Sequence, residues 1–172
     1  MSENDLIERR AKLLANVVLT RRLNIDVFSI GTKDLSGLDL LCALHDDRVP
    51  GFLPFGVILK ATSRPLDSSG DAASLVGKRT LFPNHTILMP VIALFFSMEK
   101  DEAYFAWIVE PSESSIRLRH VSKPEFTEFD NRQLDRMIKR IADWYRFTSD
   151  SILIEGAETV RKNGTAKRVP VG

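Results

Sequence analysis

Apolar residues recur at helical spacing near the start of the chain, at Ile7, Ala11, Leu14 and Val18, while Glu8, Arg9, Lys12 and Asn16 fall on the other faces. This pattern predicts a helix over residues 3–22. Ser2-Glu3-Asn4-Asp5 resembles a capping box at its start, and Arg21 and Arg22 suit the negative pole of the helix dipole at its end. From residue 25 the character turns β-branched and aromatic, with Ile25, Val27, Phe28 and Ile30 before Gly31, which predicts a strand. Residues 32–37 are turn material, 38–44 a second short strand, 45–51 a second turn and 52–62 a third strand. The opening is therefore a helix followed by a three-stranded meander.

Residues 63–77 are rich in Ser, Gly, Asp and Pro and read as a surface loop, with room for one helical turn over 71–76. Two apolar runs, 86–97 and 103–109, are separated by Met98-Glu99-Lys100-Asp101-Glu102, as in a hairpin. Residues 115–121 alternate, Ile116 and Leu118 against Arg117 and Arg119, as a strand with one wet face does. A last helix is marked by Asp130 as N-cap, Gln133 three positions on and Phe129 placed to staple onto Leu134. Leu134, Met137, Ile138, Ile141 and Tyr145 carry it to about residue 147. Beyond Gly156 the chain is basic and without apolar period, which predicts a flexible tail over 156–172 after one domain of residues 1–155.

Composition narrows the function classes. The chain has 172 residues, 44% of them hydrophobic and 27% charged, enough for one core without disulfides or structural zinc. The single cysteine, Cys42, agrees. With 24 basic and 23 acidic side chains there is no global pull toward nucleic acid or an acidic membrane, so any such attraction is local. The polar, acidic start is unlike a secretory signal, and the greasiest run, 87–96, is half the length of a membrane span and contains Pro90. A cytoplasmic protein is expected.

Several chemistries fail on their residues. Gly70 to Thr80 lacks the first glycine and the hydroxyl of a phosphate-binding loop, at Ala72 and Arg79. Ser97-Met98-Glu99-Lys100 has Ser/Lys nucleophile spacing but falls in a hairpin. His45, His85 and His120 are far apart. What stands out is a pair of charges inside apolar strands: Asp39 between Leu38 and Leu40, and Lys60 closing Phe55-Gly56-Val57-Ile58-Leu59. An ion in such a place costs several kcal/mol, of order, unless it is paired, bound to a metal or at the sheet's end. A salt bridge fixing register and a reactive acid–amine pair both satisfy this.

Gly37-Leu38-Asp39-Leu40, Phe55 to Thr62, Met89-Pro90-Val91-Ile92-Ala93-Leu94 and Tyr104-Phe105-Ala106-Trp107-Ile108 resemble, in order and spacing, the consecutive blocks of the DUF4365 domain, a branch of the PD-(D/E)XK nuclease-like superfamily. The resemblance spans roughly residues 5–110. It implies an α+β fold with a restriction-endonuclease-like core: a mixed sheet of about five or six strands with N-terminal and C-terminal helices. It also implies a Mg²⁺- or Mn²⁺-dependent nuclease acting on DNA, with Asp39 a metal ligand, Lys60 the amine near the attacking water, and Glu8 the acid of the first helix and a second ligand. The superfamily's acidic or Gln position is Ile58 here, which cannot bind a hard cation; Glu8, Asp34 or a carboxylate from another loop would have to fill the gap. A weakly active relative is one expectation, and a non-catalytic interaction module on the same fold is the alternative. Glu8 also has a plain role, an i, i+4 pair with Lys12. Arg9, Arg10, Arg21, Arg22, Lys78, Arg79 and the basic tail are the local groups available for DNA phosphates.

Overall fold

The computed structural model describes residues 3–29, 37–63 and 88–164, with side chains described through residue 151. Helix α1 (Glu3–Leu19) leads into β1 (Ile25–Ser29), β2 (Leu40–Asp46) and β3 (Val49–Thr62), which pair antiparallel in that order. After residues 63–90 the chain returns as β4 (Val91–Ser97), parallel to β3, and turns back as β5 (Glu102–Pro111). The short strands β6 (Leu118–His120) and β7 (Thr127–Glu128) both pair with β5, and helix α2 (Asn131–Gly164) follows. The sheet is mixed, with path β1-β2-β3-β4-β5-β6 and β7 beside it. The fold is α+β with a mixed sheet and N-terminal and C-terminal helices, as expected, and the described residues hold seven strands where about five or six are expected.

Both helices pack on one face of the sheet, α1 against β1 and β3, α2 against β2, β3 and β5. Ala11, Ala15, Val18 and Leu19 of α1 meet Val57 and Leu59 of β3 in this larger core, and α2 adds Leu134, Met137 and Ile141. The other face carries a second apolar cluster around Ile58, Val91, Phe95, Ile108 and Phe126. Every residue of β4 is buried, as suits a parallel-paired strand covered on both faces.

Several element ends differ from expectation for local reasons. α1 stops at Leu19, where the Thr20 hydroxyl and N–H both donate to the Asn16 carbonyl, so Arg21 and Arg22 lie past the helix. The turn expected over 45–51 closes within two residues. The Asp46 carboxylate accepts the Arg48 N–H (2.9 Å) and its guanidinium (2.7 Å), and this lowers its pKa to about 2. Pro50 and Gly51 consequently sit inside β3, with Gly51 at φ 94°. α2 runs to Gly164 rather than ending near 147, since no proline interrupts the segment and Ala157, Glu158, Arg161 and Lys162 are good helix formers. Its start is as expected: Asp130 accepts the Gln133 N–H at 2.7 Å. The strand expected over 115–121 is three residues long, and β7 was not signalled. The loop over 63–77, Asp34, and the Lys78-Arg79 pair lie essentially outside the described residues, as do positions 165–172. No helix among the described residues is long and apolar enough to cross a membrane.

Candidate active site

β2 begins at Leu40, two residues later than its apolar run suggests, and that displacement makes the site. Asp39 stands just outside the ladder: its N–H donates to the Val57 carbonyl (2.9 Å), and its carboxylate accepts the next outward N–H of β3, that of Leu59 (2.7 Å). The side chain thus replaces a ladder partner where β2 leaves β3. Gly56 and Thr62 hydrogen-bond toward the β4 side, so by strand alternation Leu59 and Ala61 turn their N–H and C=O groups to the edge that β2 has left.

Leu38 anchors this departure. A Cβ at Gly56 would stand 2.7 and 2.9 Å from the two terminal carbons of Leu38, which is buried. Only glycine leaves Leu38 this seat. Gly56→Ala is expected to cost about 1–2 kcal/mol in urea denaturation, an overpacking penalty, and to disturb Asp39 next along the chain.

The edge opens into a cleft of about 410 Å³. Asp39, Lys60 and Glu8 all line it, together with Leu59, Ala61 and Asn4. The structure thus brings the three sequence candidates together from a loop end, a strand and a helix. Lys60 follows Ile58 in the alternation of β3; Ile58 is buried in the second cluster, whereas Lys60 is half-buried at the sheet's end. No ion pair within 4.0 Å joins Asp39 to Lys60 among the described residues, so a closed register-fixing salt bridge is not what is formed. Glu8 does make its helix pair, with Lys12 Nζ at 2.9 Å from Oε1.

Burial pushes the Asp39 carboxyl above its ordinary value of 3.8, against the Leu59 N–H and the charges of Lys60 and Lys12, while Glu8 adds to the rise. The folded chain therefore holds this proton more tightly than the unfolded one. The stability Asp39 contributes is greatest below about 3.8 and declines as pH rises through the raised value. Asparagine can accept the Leu59 N–H without burying a charge. Asp39→Asn is expected to match or exceed the wild type above pH 6 and to lose that advantage near pH 4; urea titrations at both pH values measure it.

The basic groups of α1 and its exit are largely spoken for. Arg10 pairs with Asp101 (2.6 Å), Arg22 grips Asp135 through both nitrogens (2.7 and 2.9 Å), and Arg21 reaches Asn131 (3.4 Å). These contacts tie α1 to the β4–β5 turn and to the start of α2. Arg9 is exposed and forms no ion pair among the described residues. His45 pairs with Asp26 (2.8 Å) at the surface, and Ser97 is fully buried in the expected hairpin. Cys42 is buried, its thiol pushed up to about 12, and is chemically quiet. A larger cleft of about 600 Å³ lies beside β5 and β6, but its one buried acid, Glu110, is clasped by Arg119 and Arg140. Among the described residues no group of three or more His, Cys, Asp or Glu side chains gathers as a metal site would.

Sequence reasoning did not foresee the Leu59 N–H or the electrostatic influence of Lys12 on Asp39. The first needs the point where β2 and β3 part, which burial patterns do not mark; the second was half visible in the Glu8–Lys12 spacing. A scan against protein-family models returns no match, and a search of curated proteins returns none.

Proposed function

We propose that this cleft is the active site of a Mg²⁺- or Mn²⁺-dependent phosphodiesterase acting on DNA in the cytoplasm, a weak relative of the PD-(D/E)XK nucleases that the DUF4365-like blocks resemble. One observation supports it above the others. Glu8, Asp39 and Lys60, far apart in sequence, line one open cleft where two strands part.

The donor chemistry suits a hard cation. Asp39 uses one carboxylate oxygen on the Leu59 N–H and keeps the other; Glu8 likewise has one oxygen on Lys12 and one spare. The Leu59 carbonyl faces the same edge. Mg²⁺ retains several waters and needs few protein ligands, so these groups would hold it, loosely. When bound, such a cation polarises the scissile phosphate and acidifies a neighbouring water. Lys60 supplies a positive charge where negative charge develops on the phosphoryl oxygens, or orients the attacking water. Arg9 is the exposed cation of α1 left to meet a DNA phosphate.

The seat of Ile58 favours a second reading. It is 1% exposed, among Val91, Phe95 and Phe126, where the superfamily carries an acid or Gln. A chain that has replaced that ligand with core is consistent with a non-catalytic interaction module on the same fold. Nicking of supercoiled plasmid with Mg²⁺ or Mn²⁺, by the wild type and by Asp39→Ala and Lys60→Ala, separates the two: cation-dependent cleavage lost in both variants supports the enzyme, and no cleavage by the wild type supports the module.

A further inference from the structure

We infer that Lys12 is the resident counter-ion of the cleft, an ammonium held on one Glu8 oxygen whose charge opposes a divalent cation at the other, so that this lysine sets cation affinity together with the two carboxylates. The inference rests on the reading of Glu8 and Asp39 as a ligand pair.

The geometry sets this pair apart from an ordinary surface pair. Glu8 and Lys12 lie one turn apart on α1, with Nζ 2.9 Å from Oε1. Exposed i, i+4 pairs are weak because both ends remain in water. Here the lysine is the more covered partner, its side chain 30% exposed against 58% for Glu8, so its stem lies along the protein and its head is held in place. The same ammonium acts on Asp39, from another element, in the sense that favours its carboxylate. Lys60 acts on Asp39 in that sense from β3.

Two carboxylates at the cleft are thereby matched by two ammonium groups, and the local charge is near zero. A dication entering a neutral cleft is attracted by each carboxylate and repelled by the ammonium beside it. Lys60 lines the cleft itself, whereas Lys12 is not among the lining residues and occupies one of the two Glu8 oxygens. Taking the Lys12 charge away leaves the site net negative and frees that oxygen.

The probe is Mn²⁺ alone, titrated into the full chain without nucleic acid and followed by the electron paramagnetic resonance of the free ion. Lys12→Met keeps the stem and removes the charge, Lys12→Arg keeps the charge, and Lys12→Gln is a second neutral variant should the methionine chain fail to fold by circular dichroism. The neutral variants are expected to bind Mn²⁺ on the order of tenfold more tightly than the wild type, with Lys12→Arg near wild type. The gain is expected to vanish when Glu8→Gln is added. Equal affinity in wild type and neutral variants, at a site that Asp39→Asn abolishes, overturns the role of Lys12 and leaves the carboxylate pair standing. Absence of any Asp39-dependent Mn²⁺ binding in all the chains overturns both.

Discussion

Asp39→Ala is expected to lower Mn²⁺-dependent nicking of supercoiled plasmid by at least about 100-fold, and Lys60→Ala by about 100- to 1,000-fold, for different reasons. Asp39 offers an oxygen to the cation, so its loss should raise the Mn²⁺ concentration needed for half-maximal cleavage as well as lower the rate. Lys60 offers only positive charge, so its loss should lower the rate at saturating Mn²⁺ without raising the Mn²⁺ requirement. Removing a neighbouring ammonium, if anything, favours the cation. The alanine at 39 also leaves the Leu59 N–H without its acceptor, which costs about 1–3 kcal/mol of stability. Asp39→Asn is therefore the necessary companion: it keeps the hydrogen bond, folds at least as well above pH 6, and should lose cleavage almost as fully. Nicking that survives all three substitutions would sink the assignment of roles.

How much of this was legible in advance depended on the kind of signal each element carries. The start of α2 was read closely because an N-cap is local chemistry: Asp130 and Gln133 are three residues apart and meet as their spacing implies. The strands of the meander were recovered in order, since Val57, Leu59 and their neighbours are buried whichever partner they have. Strand ends were less legible. Asp46 and Arg48 close the β2–β3 turn through a side-chain clasp that overrides the Pro50-Gly51 signal, and only the fold shows that β3 starts before that proline.

The site followed the same division. Asp39 and Lys60 were conspicuous because a charge among apolar neighbours is costly, and cost is visible in one dimension. Their meeting at an open cleft depends on where β2 leaves β3, which is set by Leu38 lying over Gly56, a contact between strands. The arginines of α1 and its exit illustrate the converse. Their number suggested a phosphate-binding face, yet Asp101, Asp135 and Asn131 from distant segments engage Arg10, Arg22 and Arg21. Partners drawn from more than 90 residues away leave no mark on the local pattern.

Ile58→Glu, which would place an acid where the resembled superfamily pattern has one, is expected to unfold the protein more readily instead of completing the site. Ile58 is 1% exposed and packs with Val91, Phe95, Ile108 and Phe126, so a carboxylate there loses its hydration in exchange for hydrocarbon. The expected loss is about 3–5 kcal/mol at pH 7, a large share of the roughly 5–15 kcal/mol that holds a domain of this kind together. The pH dependence identifies the cause. Burial raises the new carboxyl above its unfolded value of about 4.3, so the native state binds the extra proton. The variant should come closest to wild-type stability below about pH 4.3 and fall away as pH rises through the raised value, a slope that Ile58→Gln should lack. Urea titrations at pH 4, 5.5 and 7 measure this, and repeating the last with Mn²⁺ asks whether the acid reaches a cation. If Ile58→Glu were as stable as wild type at pH 7, gained stability with Mn²⁺ and cleaved plasmid faster, position 58 would open to the cleft. The chain would then stand one substitution away from a full ligand set. The packing of Phe95 and Phe126 around Ile58 argues for the opposite outcome: position 58 belongs to the second apolar cluster, where a carboxylate has hydrocarbon rather than a cation for a neighbour.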